Sequence, residues 1–272
     1  MTQKRHSPVD TASLEGASLG VLLGSGLDGA SRGFPTKATV SFHKIPGLAT
    51  VDVKGHKGEL KRGVVAGKPC LFICGRKHYY EGGTQVIQAL IRFVRQLGVR
   101  DLLLTSAAGS LLKSFYPGEL VLVDDIIDIQ FRPSPKRNGP PRPAAGPCPE
   151  RPGGKQPLKL DASLSRRVWV AASSAGVALG RGTVAACPGP VYETPSEIRA
   201  LQTAGASLVT MSGAPEVASA NAVGIRVAML ALVTNWASGI SRVKLRHDDV
   251  LAASSRATPS LRRLITQFAE MS

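Results

Sequence analysis

Apolar positions along the chain fall into short, dense runs separated by turn residues, and the spacing within each run predicts its element. LGVLLGSGL (19–27) is a continuous apolar run entering a Gly-Ser-Gly turn, the mark of a buried strand. ELKRGVVAGKPCLFICG (59–75) predicts two strands joined around Ala66-Gly67-Lys68. In TQVIQALIRFVRQLG (84–98) apolar residues at 86, 87, 90, 91, 94 and 97 form one helical face, closed by Gly98. Strands are expected at 101–109 and within 118–129. A helix is expected at about 162–178, a strand at 182–187, and a helix opening at Pro195, whose fixed φ suits a first turn. A strand at 207–211, a helix at about 215–223, a strand at 225–235 and C-terminal helices from His247 complete the series. Alternation of apolar strands with amphipathic helices predicts a single α/β domain over residues 1–272, with a mixed, largely parallel central sheet flanked by helices.

One segment breaks the pattern. Residues 132–159 hold nine prolines, four glycines and seven basic residues against one Glu, too little apolar surface to order itself, so a loop is expected there. The length suffices for one large core, and the 43% hydrophobic content is ordinary for a globular protein. No apolar run is long enough to span a bilayer, and the basic N-terminal arm has no following apolar stretch, so no membrane association and no signal peptide are expected. Cys70, Cys74, Cys148 and Cys187 show no metal-ligand spacing, which fits a reducing, cytoplasmic setting and no metal. The net charge of +15 favours anionic partners. Its basic residues are scattered, apart from clusters in 132–159 and at Arg242, Lys244 and Arg246, and few aromatics interleave with them. A nucleic-acid groove is therefore not expected.

Four polar clusters follow predicted strands, where ligands gather in open α/β sheets. Gly24-Ser25-Gly26 could hold an oxyanion on backbone N–H groups, though such a turn is often only a turn. In GRKHYYEG (75–82), Arg76 offers a fork of donors matched to phosphate oxygens and His78 another donor, beside Tyr80 and Glu81. TSAAGSL (105–111) brings small residues to a strand end, which is equally compatible with tight packing. The fourth cluster pairs Glu193, on the turn in GPVYETPSEIR, with Asn235 at the end of LVTN. A carboxylate accepts from a ring N–H, while a carboxamide both donates and accepts, and together they suit a 6-oxopurine. Individually, Glu193 could be a helix N-terminal acid and Asn235 a cap.

Taken in order, LLGSGL, GHKGEL, GRKHYYEG, TSAAG, GPVYETPSEIR, MSGAPEV, LVTN and HDDVL resemble the purine nucleoside phosphorylase family in its trimeric, 6-oxopurine branch, from Leu22 to about Val250. The resemblance implies reversible phosphorolysis of inosine and guanosine to free base and ribose 1-phosphate, in a homotrimer, with inorganic phosphate as co-substrate and no cofactor. It implies phosphate binding by Ser25, Arg76, His78, the backbone at Ala107 and Ser212, with His56 nearby. It implies ribose contacts from Tyr80, Met211 and His247, and base contacts from Tyr192, Glu193 and Asn235, with Asn235, Glu193 and His78 catalytic and Glu81 behind the phosphate site. Three departures stand out. Ser106 replaces the family's usual Asn, Thr210 replaces a usual Gly, and the loop near Pro157 lacks the aromatic that relatives extend into a neighbouring subunit. TSAAGSL and DIQFRPSP look partly like methylthioadenosine phosphorylases, but those generally carry Asp where this chain has Asn235. That close rival and a non-catalytic, nucleic-acid-binding relative are the two alternatives.

Overall fold

The nine strands and five helices form a helix–sheet–helix sandwich in a computed structural model that describes residues 11–45, 47–48, 58–81, 83–130, 158–241 and 247–272. The strands are β1 (Leu19–Leu23), β2 (Thr36–Ser41), β3 (Glu59–Val65), β4 (Lys68–Cys74), β5 (Asp101–Ser110), β6 (Leu120–Asp128), β7 (Leu179–Ala186), β8 (Leu208–Thr210) and β9 (Arg226–Trp236). The helices are α1 (Gly83–Gln96), α2 (Ala162–Ser174), α3 (Pro195–Thr203), α4 (Ala214–Ala222) and α5 (His247–Glu270).

Each strand of the centre is apolar on both sides because both faces of the sheet are covered. Along β1, Leu22 joins one core while Val21 and Leu23 join the other. The first core takes the apolar stripe of α1 (Ile87, Leu90, Ile91, Val94) together with Val217 and Ala220 of α4. The second takes Leu164, Val168 and Ala172 of α2 and Leu261, Leu264, Ile265 and Phe268 of α5. Fully burying one such aliphatic or aromatic side chain is worth about 1.5–3 kcal/mol, so these two layers fix the sheet firmly. A third, smaller cluster seats Ile198 and Leu201 of α3 against Cys187, Val209 and Ala237.

Pairing runs β2-β3-β4-β1-β5-β8-β7-β6-β9, with β9 returning to pair β5. Strands β2, β3 and β4 form an antiparallel meander; β4, β1, β5 and β9 are parallel neighbours. The second half closes on itself as a ring, β5–β8–β7–β6–β9–β5. Along β5–β9 the register steps from Ala108↔Val233 to Gly109↔Asn235, so β9 carries one extra residue, Thr234, a bulge within a parallel pair.

The sequence expectation of a mixed, largely parallel sheet with flanking helices holds. Four details differ. Strand β2 was not expected: TKATVS carries exposed polar residues because it is a sheet-edge strand whose outer side faces water. Helix α2 ends at Ser174, where Gly176 adopts φ +62°, and β7 begins earlier than expected, at Leu179. The C-terminal helices are one helix, α5, which accommodates Pro259 in its interior. The expected loop at 132–159 lies outside the described residues except for its last two positions.

Candidate active site

The C-terminal ends of β1, β4, β5, β7, β8 and β9 open onto one cleft. Its water-accessible interior is about 160 Å³, and it is lined by Ser25, Arg76, His78, Tyr80, Ala107, Tyr192, Glu193, Met211, Ser212 and Asn235 among others. Ten of the twelve residues expected around phosphate, ribose and base therefore share a single cavity. His56 lies outside the described residues, as does the side chain of His247, whose backbone starts α5.

One half of the cleft gathers a cation and polar groups around Arg76. Gly24 lets the backbone after β1 lie against β5: its N–H donates to Thr105 Oγ1 at 2.9 Å, and a Cβ there would sit 2.9 Å from the Thr105 carbonyl oxygen. The Ser25 carbonyl is held from the far side by Ser254 Oγ of α5, at 3.0 Å. Arg76 is almost wholly buried, at 2% exposure. Its Nε pairs with Glu216 Oε1, and Nη1 and Nη2 both approach the Thr105 carbonyl at 3.4 Å. Glu216, 1% exposed in the first turn of α4, uses its other oxygen to accept the Gly213 N–H at 2.7 Å. A buried guanidinium so oriented is a fixed positive charge, and the ion pair keeps it from being an uncompensated one.

His78 is braced by Glu81, whose Oε2 accepts from the His78 backbone N–H at 2.7 Å and pairs with Nδ1 at 2.8 Å. With Glu81 holding the proton on Nδ1, the neutral ring carries its lone pair on Nε2. Burial, reinforced by the Arg76 charge, holds the imidazole below its ordinary pKa, with Glu81 opposing the shift. The His78 ring stacks on Tyr80, centroids 5.1 Å apart and 6° from parallel. Behind Ala107 and Ser212 lies a cluster of hydroxyls. Ser106 Oγ is 2.7 Å from Thr210 Oγ1 and 2.8 Å from Ser212 Oγ, and Thr210 Oγ1 is 2.8 Å from the Ala107 carbonyl.

The other half brings together a carboxamide, a carboxylate and an aromatic ring, those of Asn235, Glu193 and Tyr192. Thr234 Oγ1 donates to Asn235 Oδ1 at 2.7 Å, and Asn235 Nδ2 donates to the Trp236 carbonyl at 3.0 Å. A carboxamide has two acceptor lone pairs and two N–H donors, so one of each is left to meet a ligand edge. Gly109 makes room for it, since a Cβ there would come within 3.1 Å of Nδ2. Glu193 stands before α3, whose capping box is complete: Thr194 Oγ1 accepts the Glu197 N–H, and Glu197 Oε2 accepts the Thr194 N–H. Burial raises the Glu193 pKa; its own backbone N–H and the Cys187 thiol pull it down, and Glu197 adds to the rise. Tyr192 lies beside it, half exposed.

Glu216, Thr105, Thr234 and Gln130 were not singled out in sequence. Gln130 Nε2 donates to the carbonyls of Cys187 and Met211, tying the ends of β7 and β8 together. Only Glu216 left a trace, as an acid two residues after Ala214 in a Pro-led helix start, a pattern that reads equally as a cap. No His/Cys/Asp/Glu group able to hold a metal, and no helix long and apolar enough to cross a membrane, occurs among the described residues.

Residues 18–270 match the family model for the phosphorylase superfamily. Among similar proteins, purine nucleoside phosphorylase 1 of Bacillus subtilis is 31% identical over 255 residues, covering 92% of this chain and 91% of its own. The Bos taurus purine nucleoside phosphorylase is 34% identical over 255 residues, covering 90% and 86%. Two Schistosoma purine nucleoside phosphorylase structures have the same fold. The one in complex with hypoxanthine has a TM-score of 0.79 at 28% identity, covering 96% of this chain and 92% of that one. The one in complex with adenosine has a TM-score of 0.78 at 29% identity, covering 93% and 90%.

Proposed function

The chain belongs to the purine nucleoside phosphorylases of the phosphorylase superfamily, and from that premise we propose that it cleaves inosine and guanosine, with their deoxy forms, by reversible phosphorolysis to free base and (deoxy)ribose 1-phosphate. The observation that carries this reading is the division of one cleft into an anion half, around Arg76, and a carboxylate–carboxamide half, around Glu193 and Asn235.

The division matches the charges that the reaction creates. As the glycosidic bond stretches, the ribose becomes cationic and the purine anionic, while phosphate approaches C1′ from the opposite face. Groups that meet charge only as it develops lower the barrier. On the base side, the remaining N–H of Asn235 donates to O6 and its remaining lone pair accepts from N7–H as that nitrogen gains its proton, while Glu193 holds N1–H. On the anion side, phosphate sits among Ser25, Arg76, His78, the Ala107 backbone and Ser212, with His56 near it. The phosphate dianion itself stabilises the ribosyl cation, so the scheme uses no protein nucleophile, metal or cofactor. Tyr80, Met211 and His247 would hold the ribose between the halves, and Tyr192 would cover the base.

Asn235 disfavours the methylthioadenosine-type alternative, because a 6-amino group requires an acceptor where this carboxamide is set to donate. A cytoplasmic purine-salvage role and a homotrimer are part of the same proposal, as is the absence of a nucleic-acid partner. Phosphate-dependent release of hypoxanthine, guanine and adenine from inosine, guanosine and methylthioadenosine, compared side by side, tests the substrate class. Faster cleavage of methylthioadenosine than of inosine would overturn it. Sedimentation of the purified protein tests the trimer.

A further inference from the structure

Ser106 is fully buried behind the anion half of the cleft, and its hydroxyl touches two hydroxyls that line the cleft, those of Thr210 and Ser212. The three shortest oxygen–oxygen contacts of the cluster are Ser106–Thr210 at 2.7 Å, Ser106–Ser212 at 2.8 Å and Thr210 to the Ala107 carbonyl at 2.8 Å. Oxygens this close need a proton between them. Three hydroxyls supply three protons, so all three are committed inside the cluster: Ser212 donates to Ser106, Ser106 to Thr210, and Thr210 to the carbonyl. Ser106 also lies 3.1 Å from the same carbonyl. Donation there instead would leave one of the two shorter contacts of Thr210 without a proton, so the first arrangement holds. In it the proton of Ser212 points inward, and Ser212 turns a lone pair to the cleft.

Resting on the phosphate reading of this half-site, we infer that Ser212 is the acceptor for the P–O–H of hydrogen phosphate, with Ser106 and Thr210 as positioning residues that fix its polarity, so that the site selects a protonated oxyanion over sulfate. Hydrogen phosphate carries one O–H, and that donor needs an acceptor within a site dominated by donors. The carboxylates nearby do not line the cleft: Glu216 is turned to Arg76 and the Gly213 N–H, and Glu81 to His78. His78 can change from acceptor to donor by taking up a proton. Ser212 can do so only by leaving a 2.8 Å contact without its proton. Sulfate, with the same size and charge but no proton, sets an oxygen lone pair against that of Ser212.

The test is calorimetric titration of the full chain with phosphate and with sulfate, at mildly alkaline pH where phosphate is the dianion. Phosphate is expected to bind about ten-fold or more tightly than sulfate, the scale of one hydrogen bond involving a charged group. Ser106→Ala removes the inward acceptor and frees the Ser212 proton, so its phosphate-to-sulfate ratio should fall towards one through tighter sulfate binding. Thr210→Ser keeps all three hydroxyls and should keep the preference. Monofluorophosphate, a dianion without the proton, should bind the unmodified chain as weakly as sulfate, a measurement independent of whether any variant folds. Equal affinity for phosphate and sulfate, an unchanged ratio in Ser106→Ala, or no binding of either anion overturns the inference. Phosphorolysis with equal anion affinities overturns it alone, whereas a phosphate preference without phosphorolysis overturns the proposed function and leaves this inference standing.

Discussion

Asn235 shows how much a single side chain owes to its neighbours. Its value to a purine edge depends on which way its amide faces, and Thr234 and the Trp236 carbonyl fix that. Under the proposed phosphorolysis, Asn235→Ala removes a donor aimed at charge that develops in the transition state, and should lower kcat on inosine by about 10²–10³-fold, measured by steady-state kinetics. Asn235→Asp replaces the donor by an acceptor and should move the substrate ratio towards 6-amino nucleosides. His78 gives a titration prediction. Its imidazole should titrate below the ordinary value of about 6.5 in an NMR experiment. Glu81→Gln, which removes the one stabilising negative neighbour on its own loop, should lower it further. The sign for stability follows: below the ordinary value the unfolded chain binds more protons than the native one, so this residue's contribution is intact above that value and is lost as pH falls through the window beneath it. At this scale the sequence was most legible where a residue type has few good uses at a strand end, as with Arg76. It was least legible for Thr234, Thr105 and Ser106, whose importance lies in partners far away along the chain. Hydrogen bonds from Thr105 to Leu22, or from Ser106 to Thr210, leave no local pattern.

Two helix starts do more than begin helices. The capping box at Thr194 fixes the direction in which the chain leaves the turn bearing Tyr192 and Glu193. Thr194→Ala should destabilise the protein by about 1 kcal/mol in urea unfolding, and should raise KM for nucleoside more than KM for phosphate, because it loosens the base side alone. At α4, Glu216 caps Gly213 and pairs with Arg76, so one carboxylate joins a helix terminus to the anion half. Glu216→Gln leaves a buried guanidinium without its counter-charge and should cost about 3–5 kcal/mol by the same measurement. Helices with a clear apolar stripe, α1 above all, were readable from spacing because one face meets a core and the other meets water. Strand β2 was hidden because the alternation of an edge strand is weak when half of its residues are exposed and one is buried. The site's elements were readable as strand ends; which of them meet was not, since that is set by pairing order.

The pairing order is the property of the whole molecule that makes the site. The ring β5–β8–β7–β6–β9–β5 gives each of its strands two partners, so Asn235 is carried on a closed wall, while the anion side joins Ser25, Arg76 and His78, which follow β1 and β4 on the open part of the sheet, to Ala107 and Ser212 from the ring. A closed ring resists the slippage that an edge permits. Within that wall, the extra residue of β9 acts as a change of parity. In an unbroken strand consecutive side chains face opposite ways, so a cleft at a strand end ordinarily receives every second residue. At the step, Thr234 and Asn235 both line the cleft, one orienting the other. Deleting Thr234, the extra residue, would restore strict alternation and take away the hydroxyl that orients Asn235; under the proposed function the chain should then bind phosphate as before and lose its preference for 6-oxopurine nucleosides, read as the ratio of kcat/KM for inosine and adenosine.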